Sequence, residues 1–197
     1  LGDTAVNDDV IAAIEKEMKK VCKEGKKIYR REISKAEALE LFKDDEYKLD
    51  LIDGLEDGNI SVYDQGDFTD LCRGPHVDNT KLCKNFKLIK YSGVYWKGDA
   101  NNHVMQRIYG VCFPTAEELE EHIEQRRLRL EAKIAKLNPD ALKHLREHRK
   151  EVLQRFKENN PEAYAHMIQH RKEHISRLEK EKPELAAKMK EFYKLDD

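Results

Sequence analysis

The chain has no glycine beyond Gly110, the last of its 9, and it holds a single tryptophan, Trp96. It has no excess of one charge: 37 basic and 39 acidic residues leave a net charge of −2. A global basic field that would draw nucleic acid is therefore excluded, and only a local patch could serve. No apolar run approaches the ~18 residues of a membrane helix, and Leu1-Gly2-Asp3-Thr4 reads as no signal peptide. The four cysteines, Cys22, Cys72, Cys83 and Cys112, form no Cys-x-x-Cys pair and are too sparse for a secreted disulfide scaffold. The expectation is a soluble protein of a reducing, cytoplasmic compartment. The apolar share is 39% and the charged share also 39%, so the core is thin and part of the chain reads as an elongated, solvated element.

What is present divides near Thr115. Residues 1–114 have mixed composition, whereas residues 115–197 turn to Glu, Lys, Arg and Leu, with 19 basic against 18 acidic residues from Glu117 onward. In the first part, Val10, Ile11, Ile14, Met18 and Val21 recur at helical spacing over residues 8–22. Residues 27–33 alternate like a strand, and Ser34 with Glu37 forms a capping box for a helix through Phe42. Residues 59–64, 86–91 and 104–111 are further strands, the last two separated by a turn over residues 96–102. This pattern predicts an α+β domain, an antiparallel sheet with packed helices, followed by an all-helical extension.

The extension is an internal repeat. Asn138-Pro139-Asp140-Ala141 aligns with Asn160-Pro161-Glu162-Ala163, and the 22-residue register carries His144 onto His166, His148 onto His170 and Phe156 onto Leu178. A shortened copy opens at Lys182-Pro183-Glu184. Proline suits a first helical turn, and the asparagines before it read as caps. A preceding helix is expected from Thr115 to Leu137. The apolar stripe is narrow and the polar face mixes signs, which favours a packing or docking arm for a protein partner over a lipid-surface helix.

The chemistry concentrates in Asp70-Leu71-Cys72-Arg73-Gly74-Pro75-His76. Thiolate and imidazole are both zinc ligands, and a Gly-Pro bend lets Cys72 and His76 converge. These residues, with Phe86-Lys87-Leu88, Tyr95-Trp96-Lys97-Gly98-Asp99-Ala100-Asn101-Asn102 and Gln106-Arg107-Ile108-Tyr109-Gly110, resemble the editing domain of bacterial-type threonyl-tRNA synthetases. That module is also called the second additional domain, and it is shared with alanyl-tRNA synthetases. Arg30-Arg31-Glu32-Ile33-Ser34, Ala36-Glu37-Ala38-Leu39 and Tyr47-Lys48-Leu49-Asp50-Leu51-Ile52 follow the same pattern upstream, so the resemblance covers about residues 8–130. It implies hydrolysis of seryl mischarged onto threonine tRNA. It carries Lys48, Asp70, Cys72 and His76 over as catalytic residues. Lysine would orient water or stabilise the oxyanion, Asp70 would hold the substrate ammonium, and Cys72 with His76 would shape the pocket. No cofactor is firmly expected. Zinc is a candidate through Cys72 and His76, because alanyl-type relatives use it, while threonyl-type sites commonly work without it.

Arg73, Trp96, Lys97 and Arg107 are candidates for contact with the tRNA 3′ end, through phosphate or by stacking. His103 reads as a surface position, and Cys22, Cys83 and Cys112 as ordinary thiols. The family's domains open with a His-x-x-x-His helix, and no histidine precedes His76. A fragment, a site that has lost editing, and replacement by other histidines are the three explanations. The tail sets His144/His148 and His166/His170/His174 could take that place, though they read first as solvated positions of a charged repeat. The alternative to an editing hydrolase is a non-catalytic relative that binds tRNA or a protein through the helical tail. No class II catalytic core is visible after residue 115, so ligation is not expected from this chain alone.

Overall fold

Strand β2 (Ile60–Gln65) lies between two neighbours and builds a different surface with each face. The computed structural model of the chain describes residues 4–193. Strands β1 (Ile28–Ile33) and β3 (Phe68–Leu71) pair with β2, both antiparallel. The register sets Ile33 opposite Ile60 and Leu71 opposite Val62, so these four side chains share one face. Helices α2 (Lys35–Leu41) and α3 (Glu46–Asp53) supply Ala38 and Ile52 to the core formed with Ile33, Ile60 and Val62. Ala38, Ile52 and Val62 are all 0% exposed, which makes this the driest place in the first unit.

The helices start where their caps dictate. Ser34 Oγ accepts from the Glu37 N–H at 3.2 Å, and Asp45 Oδ1 accepts from the Tyr47 and Lys48 N–H groups at 3.1 and 3.0 Å. Farther along the sheet, Arg31 Nε donates to Asp64 Oδ2 at 2.5 Å and Nη2 to Oδ1 at 3.2 Å, and the Thr69 hydroxyl joins at 2.6 Å. The Arg31 guanidinium, with the Thr69 hydroxyl, holds the Asp64 carboxyl below the usual carboxylate range.

Strands β4 (Phe86–Tyr95) and β5 (Val104–Cys112) form a separate two-stranded antiparallel sheet. This is the α+β, antiparallel class that the sequence predicts, with the strands divided between two small sheets. Strand β3 ends at Leu71, and Gly74 and Pro75 cannot prolong its ladder. A bulge between Leu88 and Lys90 interrupts the β4–β5 pairing. There Glu15, from α1 (Asp8–Glu24), accepts from the Leu88 N–H at 2.9 Å and from Lys87 Nζ at 2.8 Å, tying the helix to the strand.

Residues 1–115 and 116–197 form two compact units. The second contains α4 (Ala116–Leu137), α5 (Pro139–Asn159), α6 (Pro161–Glu181) and α7 (Pro183–Tyr193). The repeat runs one helix farther back than its Asn-Pro signature marks. Arg127, Arg149 and Arg171 stand at 22-residue intervals on α4, α5 and α6. Arg127 and Arg149 lie 3.7 and 3.8 Å from the Phe192 ring centre, and Arg171 lies 4.3 Å from that of Tyr193. Ile175, Leu178, Ala186 and Met189 form the apolar core beside them. Asn138 caps α5 by accepting from the Ala141 N–H at 3.0 Å. Asn160 makes no such side-chain bond, contrary to the sequence expectation. It is the one residue between two helices, and its N–H closes α5 on the Phe156 carbonyl at 2.9 Å. Among the described residues no helix is long and apolar enough to cross a membrane.

Two outcomes follow for the first unit. Ile52→Ala opens a cavity at a fully buried position and should cost about 2–5 kcal/mol in urea unfolding; a loss below about 1 kcal/mol contradicts this core. The depressed Asp64 carboxyl contributes stability above its unfolded value of about 3.9, and that stability is lost as pH falls through the lower folded value. Wild type should therefore lose urea midpoint on acidification more steeply than Asp64→Asn, and equal slopes contradict the pairing.

Candidate functional site

On the face of the sheet opposite the core, alternation presents Ser61 and Tyr63 from β2. The register sets Asp70 opposite Tyr63, and Cys72, two residues on, continues the Asp70 row. Ser61 fixes the chain just past β3 from both sides: its Oγ donates to the Cys72 carbonyl at 2.7 Å, and its own carbonyl accepts the Cys72 N–H at 3.1 Å. The segment then turns back, so that His76 Nε2 stands 3.0 Å from Cys72 Sγ. The Gly74 N–H also donates to that sulfur, at 3.3 Å. The Tyr63 ring lies 4.1 Å, centre to centre, from the His76 imidazole. Gly74 has φ +74°, and a Cβ there would overlap the Tyr63 hydroxyl, so only glycine fits.

Lys48 enters from α3. Its ammonium is hydrogen-bonded to Asp70 Oδ1, and the lysine side chain is 25% exposed. The Leu71 N–H donates to the same oxygen at 2.7 Å. Lys48, Asp70, Cys72 and His76 thus form two bonded pairs, with Lys48 on α3, Asp70 on β3, and Cys72 and His76 in the segment that follows β3. Tyr63 and Ser61 belong to the same cluster but were not singled out from sequence. The alternation of residues 59–64 was the signal that could have found them.

The residues expected at the tRNA 3′ end separate. The Trp96 indole N–H donates to Asp50 Oδ2 at 2.7 Å, and Lys97 Nζ donates to Asp50 Oδ1 at 2.8 Å. These two bonds hold the Asp50 carboxyl below its usual range. Tyr47, beside Lys48 on α3, meets Trp96 edge to face at 4.9 Å, and its hydroxyl is 3.0 Å from His103 Nδ1. Tyr47, Asp50, Trp96 and His103 line an open pocket of about 200 Å³ with Glu46 and Asn102. Arg107 lies on β5 beside Tyr109, whose phenol is held below its usual range by hydrogen bonds from Ser92 and Arg107. Arg73 is exposed next to Cys72.

Cys72 and His76 supply two donors for zinc, and a protein zinc site takes at least three. Among the described residues no group of three or more His, Cys, Asp or Glu side chains is arranged to hold a metal ion. Within the described residues Cys72 and His76 are thus a two-donor pair. The tail histidines have other neighbours: His170 and His174 each lie 3.6 Å from Glu120 Oε2, and His144 lies 3.7 Å from Glu147. His174 is buried, not a solvated repeat position.

Residues 60–109, which span β2, β3, β4 and two thirds of β5, match the family model for the threonyl and alanyl tRNA synthetase second additional domain. Threonine–tRNA ligases of Staphylococcus aureus strains JH9, Newman and Mu50 are each 49% identical over 138 residues, covering 68% of this chain and 21% of theirs. The chain spans about a fifth of the length of these curated relatives. The chain is thus similar to threonine–tRNA ligases over about two thirds of its own length, and its residues 60–109 match the second additional domain that threonyl and alanyl tRNA synthetases share.

Proposed function

We propose that the first unit is an editing hydrolase acting on the ester of seryl mischarged onto threonine tRNA. The observation that supports this reading best is the Lys48–Asp70 pair standing on the same strand row as the Cys72–His76 pair. The Lys48 ammonium, placed by its bond to Asp70, suits orienting water and stabilising the oxyanion. Both bonds to Asp70 fall on Oδ1, and Oδ2 is the oxygen assigned to the substrate ammonium. The His76 imidazole takes the proton of the attacking water and returns it to the ribose oxygen as the ester breaks. Cys72 and Tyr63 hold that ring in place.

The tRNA end is assigned by what remains unspent. Lys97 is neutralised by Asp50, which weakens it as a phosphate contact. Arg73, exposed and adjacent to the site, is the better phosphate contact. Trp96, anchored through its N–H, offers a ring face for stacking an unpaired base.

Deacylation of seryl-tRNA(Thr) by this chain tests the reading. Lys48→Ala should slow it about 10²-fold. An unchanged rate, or no hydrolysis from folded wild-type protein, contradicts it. Arg73→Ala should weaken tRNA binding and lower the slope of log affinity against log salt by about 1; an unaltered slope removes Arg73 from the interface.

A further inference from the structure

Three cysteines that read as unrelated thiols in the sequence meet in the first unit, away from Cys72. Cys22 comes from the end of α1, Cys83 from the end of a single 3₁₀ turn (Thr80–Cys83), and Cys112 from the end of β5. They line one open cavity of about 1090 Å³, together with Lys19, Lys23, Lys81 and Lys84. Among the described residues no carboxylate lines it. Cys22 is buried, Cys83 half-buried and Cys112 exposed, and all are free thiols. Cys83 and Cys112 are within hydrogen-bonding reach of each other.

The segments that carry them are pinned. The Thr80 hydroxyl donates to the Val21 carbonyl at 2.9 Å, and Asn79 Nδ2 donates to the Gly25 carbonyl at 2.8 Å, docking the 3₁₀ turn on the end of α1. The Phe113 N–H donates to the Asn85 carbonyl at 2.9 Å, and Asn85 Nδ2 to the Pro114 carbonyl at 2.7 Å, holding the end of β5 beside Lys84. The thiols therefore face one another in the folded chain at a far higher effective concentration than in an open one. A single 3₁₀ turn has poor hydrogen-bond geometry, and a small shift brings two sulfurs from contact to the ~2.05 Å of a bond.

We propose that Cys83 and Cys112 are a redox modification site, closing to a reversible disulfide when a hydroperoxide enters this cavity. The Cys83 sulfur attacks the peroxide: an S–O bond forms, the O–O bond breaks, and the departing oxygen leaves as water with the thiol proton. The Cys112 sulfur then displaces the hydroxyl of the Cys83 sulfenic acid. The S–S bond forms, the S–O bond breaks, and the Cys112 proton leaves with the hydroxide as a second water. Two thiols lose two electrons and hydrogen peroxide becomes two waters. Cys83 is assigned the first attack by its position, at the end of the 3₁₀ turn with Lys81 and Lys84 on either side of it in the cavity lining. The four ammonium groups favour the negative charge that builds on the leaving oxygen.

The test needs no enzymatic readout. The folded chain is treated with hydrogen peroxide, alkylated, digested without reductant and mapped by mass spectrometry. A cross-linked peptide pair holding Cys83 and Cys112 should appear, vanish with dithiothreitol, and be absent from Cys83→Ser. Cys112→Ser should leave a Cys83 sulfenic acid that dimedone traps. Recovery of Cys83 as an alkylated thiol, as sulfinic acid, or linked to Cys22 overturns the proposal. The same pairing yield from chain oxidised in concentrated urea also overturns it.

Discussion

The two-residue alternation of β2 is the constraint on which the first unit depends. Ile60 and Val62 point into the core, while Ser61 and Tyr63 point the other way. A slip of one residue in the pairing would exchange the two sets, emptying the core and burying the polar row. The core face fixes the register by burial of Ile33, Ile60 and Val62 against Ala38 and Ile52. The site face has no comparable driving force of its own. Its geometry is inherited from hydrophobic packing on the reverse of the same strands.

That inheritance explains why the polar cluster holds together at a partly exposed surface. Asp70 is opposed to Tyr63 by the ladder, Cys72 is fastened to Ser61 by two hydrogen bonds, and the chain turns at Gly74 because the Tyr63 hydroxyl fills the space of a Cβ. The turn then sets His76 between Cys72 and the Tyr63 ring. Lys48 is delivered by α3, whose start is set by the Asp45 cap and whose position is set by Ile52 in the core. Tyr47 and Asp50 on the same helix organise Trp96 and Lys97, so one short helix joins the two polar surfaces. The second unit uses a different device, arginines at a 22-residue interval stacked on Phe192 and Tyr193, where aliphatic side chains are scarce.

Much of this was legible where local chemistry decides the outcome. The spacing of Val10, Ile11, Ile14, Met18 and Val21 marked α1, and Ser34 with Glu37 marked the start of α2. The prolines at 139, 161 and 183 marked three helix starts. Strand β3 escaped because Phe68–Leu71 is four residues long and its ladder comes from β2, not from its own pattern. Helix α3 spans eight residues, too few to display a period, although the Asp45 cap was readable. Lys48, Asp70, Cys72 and His76 were named through resemblance to a family. Their pairing was not readable, because Lys48 and Asp70 are 22 residues apart and meet only through the tertiary fold. Cys22, Cys83 and Cys112 carried no spacing signal for the same reason.

In the proposed function, Asp70 and its neighbours receive the aminoacyl end of a tRNA. The most direct measurement is an NMR titration of the chain with an amide-linked seryl-adenosine, beside the same compound lacking the α-amino group. The backbone amides of Lys48, of residues 70–74 and of His76 should shift with the first compound and respond far more weakly to the second. Equal responses to both compounds, or shifts confined to other parts of the chain, would contradict it.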